Sequence, residues 1–436
     1  MRKLIVEGVR CFSDAQAMTL RPVTILVGEN STGKSTILAM ARAAWEIAFA
    51  TGEPNFNEQP FDLGAFDAIA HYGGRTHRAD QFTIEGSFDV PERAHGKART
   101  TVRTVRGTFG ERVGQPVLIK WSASQRDIEL TVEAKGENTT RVTVSRKGAR
   151  IVDEVLSDVV RTTNMASDAV LAVRRQALAR SAKDRRITAD LFAPEIMQLL
   201  PGGPLADPPP PPFAVAPIRS KPERTYDPKR GLPEPEGSHV PMELATLHAT
   251  APAEFKRLVE AISEYGREGN LFSSLEVKRL GKKPGDPFQL LVRVGKHPFN
   301  LRDVGYGVSQ VLPILVDIIR APKQQTFLLQ QPEVHLHPRA QASLGSLIAQ
   351  QAARMNQTFI VETHSDYLLD RVRMEVRERD GSRTLTPADI AILYFERVKG
   401  NVVVHTIEVD DNGELRDVPA GYRSFFLNEE RRLLGL

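Results

Sequence analysis

Residues 23–45 read VTILVGENSTGKSTILAMARAAW. An aliphatic, β-branched run leads into Gly28, and a run with helical apolar spacing leads out past Ser35. Between them, Gly28 to Ser35 spells G-E-N-S-T-G-K-S, a full match to G-x-x-x-x-G-K-[ST]. Glycines at these positions let the backbone curl so that successive N–H groups point at phosphate oxygens. The N-terminus of the following helix adds its partial positive charge there. In such a loop Asn30, Ser31, Thr32, Gly33, Lys34, Ser35 and Thr36 line a nucleoside triphosphate. Lys34 reaches the β- and γ-phosphates and the Ser35 hydroxyl ligates Mg²⁺. The stretch therefore predicts an ATP and Mg²⁺ site centred on Lys34.

Outward from the loop, Lys3 to Val9 and Val23 to Val27 read as strands and Ile37 to Ala48 as a helix. From Gln81 to Arg150 the pattern becomes short alternating segments, FTIEGSFDV, QPVLIKWSA, DIELTVEA and TRVTVSRK, the mark of an antiparallel meander. Asp153 to Leu200 reads as helical, with Arg174, Arg175, Arg180, Lys183, Arg185 and Arg186 close together. Pro208 to Pro212 must be extended, as a stiff spacer or a plain connector. Beyond Glu254 an α/β pattern returns. Phe288–Val294, Thr326–Leu329 and Thr358–Val361 read as strands, and Val308–Ile319, Arg339–Met355 and Tyr367–Arg379 as helices. AILYFERV-KGN-VVVHTIEV reads as a closing hairpin.

The balance of 41% hydrophobic and 26% charged residues over 436 positions is that of a core-forming chain of two or three domains. No apolar run is long enough to span a bilayer and the start does not read as a signal peptide, so a cytoplasmic location without membrane contact is expected. One cysteine, Cys11, excludes an internal disulfide and reads as a small packing group. The net charge of +4 permits nucleic-acid contact without arguing for it.

Several segments together resemble a known family. MRKLIVEGVRCFSD with TILVGENSTGKSTIL looks like the opening of the SMC-like and overcoming-lysogenisation-defect (OLD) ATPases, a branch of the ABC superclass. LRDVGYGVSQVLPIL resembles that branch's signature segment, TFLLQQPEVHLHPRAQ its Walker B stretch, and FIVETHSDYLL its switch-histidine segment. FDLGAFDAIAHYG and APIRSKPERTYDP look like connecting pieces of the same family. The resemblance covers roughly 1–75 and 214–436 and is poor between them.

It implies an α/β P-loop NTPase of ABC/SMC-like type, a split head with an inserted β-meander and helical lobe. The expected division is an N-terminal ATPase lobe over 1–80, the insert over 81–213, and a C-terminal ATPase lobe over 214–436. In this family two heads sandwich ATP, so a homodimer or higher homo-oligomer is expected. Gly305, Gly307, Ser309 and Gln310 of one copy would close on the γ-phosphate held by another. Read alone, that glycine turn is an ordinary helix start. His364 falls where the family places a γ-phosphate sensor; a lone histidine would more often be structural. His335 and His337 have metal-like spacing, but the family uses this turn for packing and dimer contacts.

The chain departs from the family at the catalytic acids, where it carries Gln330, Gln331, Pro332 and Glu333. The first position normally holds a water on Mg²⁺ and the second polarises the attacking water. Glutamine can hydrogen-bond in both places but cannot take a proton or neutralise a metal. Three readings stay open: Glu333 acts as the base, Gln331 orients water, or a glutamine replaces a native glutamate to trap ATP. A slow ATPase is the expectation. OLD-type proteins add a Toprim nuclease after the ATPase, yet only about 72 residues follow His364 and no clustered acids mark one. Nor is there a heptad arm long enough for a true SMC protein. The resemblance thus points to an ATPase that holds a separate effector, a nuclease or a toxin, as relatives in antiphage defence do. The alternative is a DNA-engaged repair ATPase using Arg174 to Arg186 and Val277 to Lys283, which also read as a solvated helix face and a charged turn.

Overall fold

The computed structural model describes residues 1–436 apart from 75–77, 95–96, 137, 158–164, 179–192, 203–207, 229–231, 284, 377–384, 423–430, 433 and 435–436. The chain gathers into two units, one of residues 1–20, 29–211 and 395–404, the other of 21–28, 212–394 and 405–436.

The first unit is built on an eight-stranded antiparallel sheet. Its strands are β1 (Lys3–Glu7), β2 (Gln16–Thr19), β4 (Gln81–Ala94), β5 (Lys97–Arg112), β6 (Gln115–Gln125), β7 (Ile128–Ala134), β8 (Thr139–Arg146) and β9 (Ala149–Ser157), in the order β2-β1-β4-β5-β6-β7-β8-β9. Two of its hairpins turn on Val113–Gly114 and Lys147–Gly148, whose φ values of 52°, 75°, 50° and 77° match strand twist. Alternation sets the faces: Ile128, Leu130 and Val132 of β7 are buried while Glu129 between them is exposed. Helix α1 (Lys34–Phe49) covers the apolar face, where fully buried Trp121 donates its indole N–H to the Ile47 carbonyl at 3.1 Å. Phe82 and Phe109 stack at 5.1 Å, with Phe56 edge-on to both. The short α2 (Phe66–Ile69) follows.

The expected helical region from Asp153 is corrected at its start. β9 continues to Ser157 because Asp153 binds Arg141 across the strand pair and Arg150 beside it, each at 2.7 Å. α3 (Met165–Leu178) and α4 (Pro194–Met197) come later. α3 presents Met165, Ala166, Ala169, Val170 and Val173 inward. Arg180, Lys183, Arg185 and Arg186 of the basic cluster lie outside the described residues. Pro208–Pro212 is neither helix nor strand, and the Pro209 carbonyl accepts the Trp45 indole N–H at 3.2 Å.

The second unit holds β10, β14, β15 and β3 of a sheet ordered β10-β14-β15-β3-β16-β17-β18. The four strands β10 (Phe213–Val215), β14 (Thr326–Gln330), β15 (Thr358–Glu362) and β3 (Val23–Gly28) run parallel. β16 (Ile390–Val398), β17 (Asn401–Val409) and β18 (Leu415–Arg416) complete it. The runs FLL and FIV are apolar without alternation because parallel strands are covered on both faces. Phe327 and Phe359 stack at 5.3 Å on adjacent strands. A second, antiparallel sheet of β11 (Ser274–Arg279), β12 (Phe288–Val294) and β13 (His297–Asn300) lies in the same unit. Its helices are α5 (Val240–Thr250), α6 (Pro252–Glu268), α7 (Tyr306–Arg320), α8 (Pro338–Met355) and α9 (Asp366–Met374). Val308, Val311, Leu312, Leu315 and Ile318 give α7 its buried stripe. The class is α/β, with the β3–loop–α1 opening of a P-loop NTPase and an inserted meander and helices. Register sets Gln330 level with Glu362, and Glu362 level with Leu26, so three strand ends carry polar residues or a loop to one edge. That edge is where parallel α/β sheets bind ligands. Among the described residues, no helix is long and apolar enough to cross a membrane.

Candidate functional site

The loop after Gly28 takes left-handed backbone at Ser31 (φ 60°) and Gly33 (φ 88°), which turns its peptides into a concave cradle. Glycine is required at 33: a Cβ there would lie 2.6 Å from the Cys11 sulfur and 2.7 Å from the Phe12 ring. Cys11 is thus half-buried beneath the loop, and burial pushes its thiol up. Asn30 and Ser31 are exposed at the rim, while Thr32 and Thr36 are buried. The Thr32 hydroxyl donates to the Glu29 carbonyl at 2.8 Å. Lys34, only 3% exposed, donates from Nζ to the same carbonyl at 2.6 Å. Ser35 is half-buried in the first turn of α1, whose first turn holds no acidic residue to compete for a cation or repel an anion. Arg397 clasps the loop from outside, donating to the Ser31 carbonyl at 2.7 Å. A cradle that a side chain would fill, with a lysine beside it, fits triphosphate oxygens.

The strand ends of the second unit hold a separate polar cluster. Gln330 closes β14 and is buried. Gln331 is left-handed (φ 42°), and its N–H donates to the Glu362 carbonyl at 2.8 Å. Glu333 is buried and accepts the His364 N–H at 2.8 Å. Burial pushes its carboxyl above the usual range, while that N–H, the Thr363 hydroxyl and the Arg219 charge pull the other way. His364 is exposed just beyond β15. Ser365 steadies it, capping α9 through the Leu368 N–H at 3.0 Å and donating to the Gln341 side chain at 2.6 Å. The structure therefore brings Gln330, Gln331, Glu333 and His364 together. For Mg²⁺ the donor set is thin: Gln330 offers a neutral amide oxygen, so charge must come from phosphate oxygens or a neighbouring acid.

The glycine turn divides in two. Gly305 and Tyr306 are outside, Tyr306 being 47% exposed. Ser309 and Gln310 are buried, with the Ser309 hydroxyl donating back to the Tyr306 carbonyl at 2.9 Å. Gly307 stands against the HLHP turn, where a Cβ would meet the His335 carbonyl at 2.8 Å. Tyr306 and His335 meet edge-to-face at 5.1 Å. His337 caps α8 by accepting the Arg339 N–H at 3.3 Å. His335 and His337 thus pack and cap. Among the described residues, the cluster with metal-like spacing is His239, Glu243 and Asp317. There the Glu234 N–H donates to Nδ1 of His239 at 3.1 Å, which puts the proton on Nε2, 3.0 Å from Asp317. That proton leaves no lone pair on Nε2 for a metal.

Residues 215–370 match the family model described as "AAA domain, putative AbiEii toxin, Type IV TA system". The matched stretch holds Arg219, the glycine turn, the Gln330–Glu333 turn and His364; the loop around Lys34 precedes it. It supports an ATPase of the AAA kind and leaves turnover open. No curated protein matches the chain in sequence. Among solved structures, the SMC head domain from Thermotoga maritima is similar at 13% identity and a TM-score of 0.37, over 94% of this chain and 99% of that one. An Smc head bound to the C-winged helix domain of ScpA gives 12% and 0.42, over 93% and 98%. An Smc head with an extended coiled coil, bound to the C-terminal domain of ScpA derived from Pyrococcus furiosus, gives 11% and 0.42, over 99% of each chain.

Sequence reasoning missed three contributors. Glu362 stands level with Gln330 on the next strand, so a carboxylate is present one strand over from the glutamines. Arg397, 366 positions from Ser31, gave no local signal. Arg219 was visible only inside APIRS. It is 2% exposed and donates from Nη2 to the Gln331 carbonyl at 3.2 Å. Burial lowers its guanidinium to about 10, with Glu333 the charge that opposes the shift. Its Nε and Nη1 have no hydrogen-bond partner among the described residues, an arrangement that costs about 1–3 kcal/mol per buried donor.

Proposed function

We propose that this protein is an ATP-dependent switch of the ABC/SMC-like kind, in which ATP binding, followed by slow hydrolysis, assembles copies of the chain and controls a separate effector. The cradle at Ser31–Lys34 carries this reading, because its left-handed backbone and buried lysine suit phosphate oxygens and little else. Lys34 and Ser35 hold the triphosphate and its Mg²⁺; by the resemblance of their segments alone, Gln330 takes the position of the family's metal-side acid and His364 that of its γ-phosphate sensor. Glu333 is the base, since a carboxyl raised by burial is better matched to proton transfer near neutral pH. The description of the matched family as a toxin of a toxin–antitoxin system supports an effector-linked role in defence.

The deciding experiment is ATP turnover by the purified chain, with Lys34→Ala as the blank and Gln330→Glu and Gln331→Glu beside it. Turnover above the blank that rises with pH, and loses that limb in Glu333→Gln, supports Glu333 as base. Activity only in a restored glutamate variant would make ATP an assembly ligand instead. For assembly, exposed Tyr306 is a cleaner probe than buried Ser309: Tyr306→Arg should abolish ATP-dependent association without unfolding the helix. An unchanged sedimentation profile with ATP would sink the head-to-head model.

A second reading, DNA engagement, rests on Lys278, Lys282 and Lys283, all exposed around the β11–β12 hairpin. Stimulation of turnover by duplex DNA, lost on changing these three to Glu, would favour it.

A further inference from the structure

Three buried donors around one turn lack acceptors among the described residues: Nε and Nη1 of Arg219 and Nε2 of Gln310. Both residues are almost wholly enclosed, at 2% and 1% exposure. Arg219 follows β10, the strand beside β14, and so stands at the same sheet edge as Gln330. It has two attachments. Its guanidinium donates to the Gln331 carbonyl at 3.2 Å, holding the left-handed residue that begins the turn to Glu333. Its own peptide N–H donates to Oε1 of Gln310 at 3.3 Å, one turn into α7. A single residue therefore grips the Gln331–Glu333 turn with its side chain and the helix that begins at Tyr306 with its backbone.

The spare donors leave this link room for a second arrangement. Glu333 is the charge that acts on the guanidinium, and a carboxylate is the natural bidentate partner of an arginine fork. Any shift of the Gln331–Glu333 turn changes which acceptor the fork serves. Because the peptide N–H is tied to Gln310, that change is felt at the start of α7. Lysine could supply the charge but not the fork.

We propose that Arg219 is a positioning residue that couples the Gln331–Glu333 turn to the first turn of α7, so that nucleotide engagement at the former resets the exposed Gly305–Tyr306 face. The proposal rests on the ATP-site reading above. It adds a path within one chain from the chemistry to the surface assigned to a second copy.

The test is hydrogen–deuterium exchange of peptides covering 306–311 and 330–336, with and without ATP and Mg²⁺. ATP binding is followed in parallel with a fluorescent ATP analogue, with Lys34→Ala as the blank. In the unaltered chain, ATP should slow exchange in both peptides. In Arg219→Ala and Arg219→Lys, the analogue should still bind, and protection of 330–336 should persist in part. The ATP-dependent slowing at 306–311 should fall about fivefold or more. Gln310→Leu, which keeps the guanidinium and removes the acceptor of its peptide N–H, should uncouple in the same way. It carries the test if the Arg219 variants do not fold. Equal slowing at 306–311 in the unaltered chain and the variants would overturn the proposal. So would ATP binding to the unaltered chain with no change at 306–311. Failure of the unaltered chain to bind the analogue would be a different result, removing the ATP-site reading itself.

Discussion

The eight-stranded and seven-stranded sheets use their strands in opposite ways. In the antiparallel sheet, every strand from β4 to β9 pairs with its sequence neighbour, and the polar face carries Thr83, Thr108, Thr131 and Glu133 in cross-strand rows. In the parallel part of the other sheet, β3 lies between β15 and β16, more than three hundred residues away in the chain. Chemistry gathers at the ends of these strands: Gly28, Gln330 and Glu362 each close one. One sheet is a scaffold with its polarity spread over a face. The other concentrates it at an edge, with apolar residues filling the interior behind.

That contrast can be broken by mutation, and the largest effect should come from the parallel interior. Phe359→Ala, which empties one half of the Phe327–Phe359 stack, should cost about 3–5 kcal/mol in chemical denaturation. A loss below about 1 kcal/mol would mean the interior is not close-packed. Next comes Lys34→Ala, expected to weaken ATP binding about a hundredfold by calorimetry while leaving the unliganded melting temperature close to unchanged. A small change in affinity would move the phosphate site elsewhere.

The third effect lies behind the scaffold sheet, at Glu46 on α1. Burial raises its carboxyl to about 7, with Arg42 and the Asn55 N–H opposing. A raised acid binds its proton more readily folded than unfolded, so this contribution to stability is full below the unfolded value of 4.5. It is lost as pH rises towards 7, by up to about 3 kcal/mol. Glu46→Gln should flatten that slope in melts taken across the window, and an unaltered slope would assign it to another group. Smallest of all, Thr131→Ala on the polar face should stay within about 0.5 kcal/mol. A larger loss there would show that this face is covered in solution.

The same contrast explains what the sequence disclosed. The meander was legible because each strand meets the next one, and alternation over seven residues such as IELTVEA is local. The phosphate loop was legible because its glycines, lysine and serine must be consecutive. The edge of the parallel sheet was legible only as separate words, GENSTGKS, LLQQPE and VETH, whose alignment depends on register between distant strands. Arg219 showed only as one letter of APIRS, since a buried guanidinium reads in sequence like any surface charge, and Arg397 gave no local signal. The start of α3 was misplaced because Asp153 is a poor strand former on its own, yet two arginines hold it within β9. Sequence alone did not show that helical phase buries Ser309 and Gln310 and leaves Gly305 and Tyr306 outside.

The grip of Arg397 on Ser31 has a consequence for how the protein is made. During synthesis the loop around Lys34 leaves the ribosome early, but its outer clasp arrives more than three hundred and sixty codons later. Phe395, packed edge-on to Phe12, and Val402, whose N–H donates to the Cys11 carbonyl at 3.0 Å, arrive with it. The first motif to be translated is thus among the last to be finished. A nascent chain released before the β16–β17 hairpin would carry an intact GKS motif and an unfinished cradle.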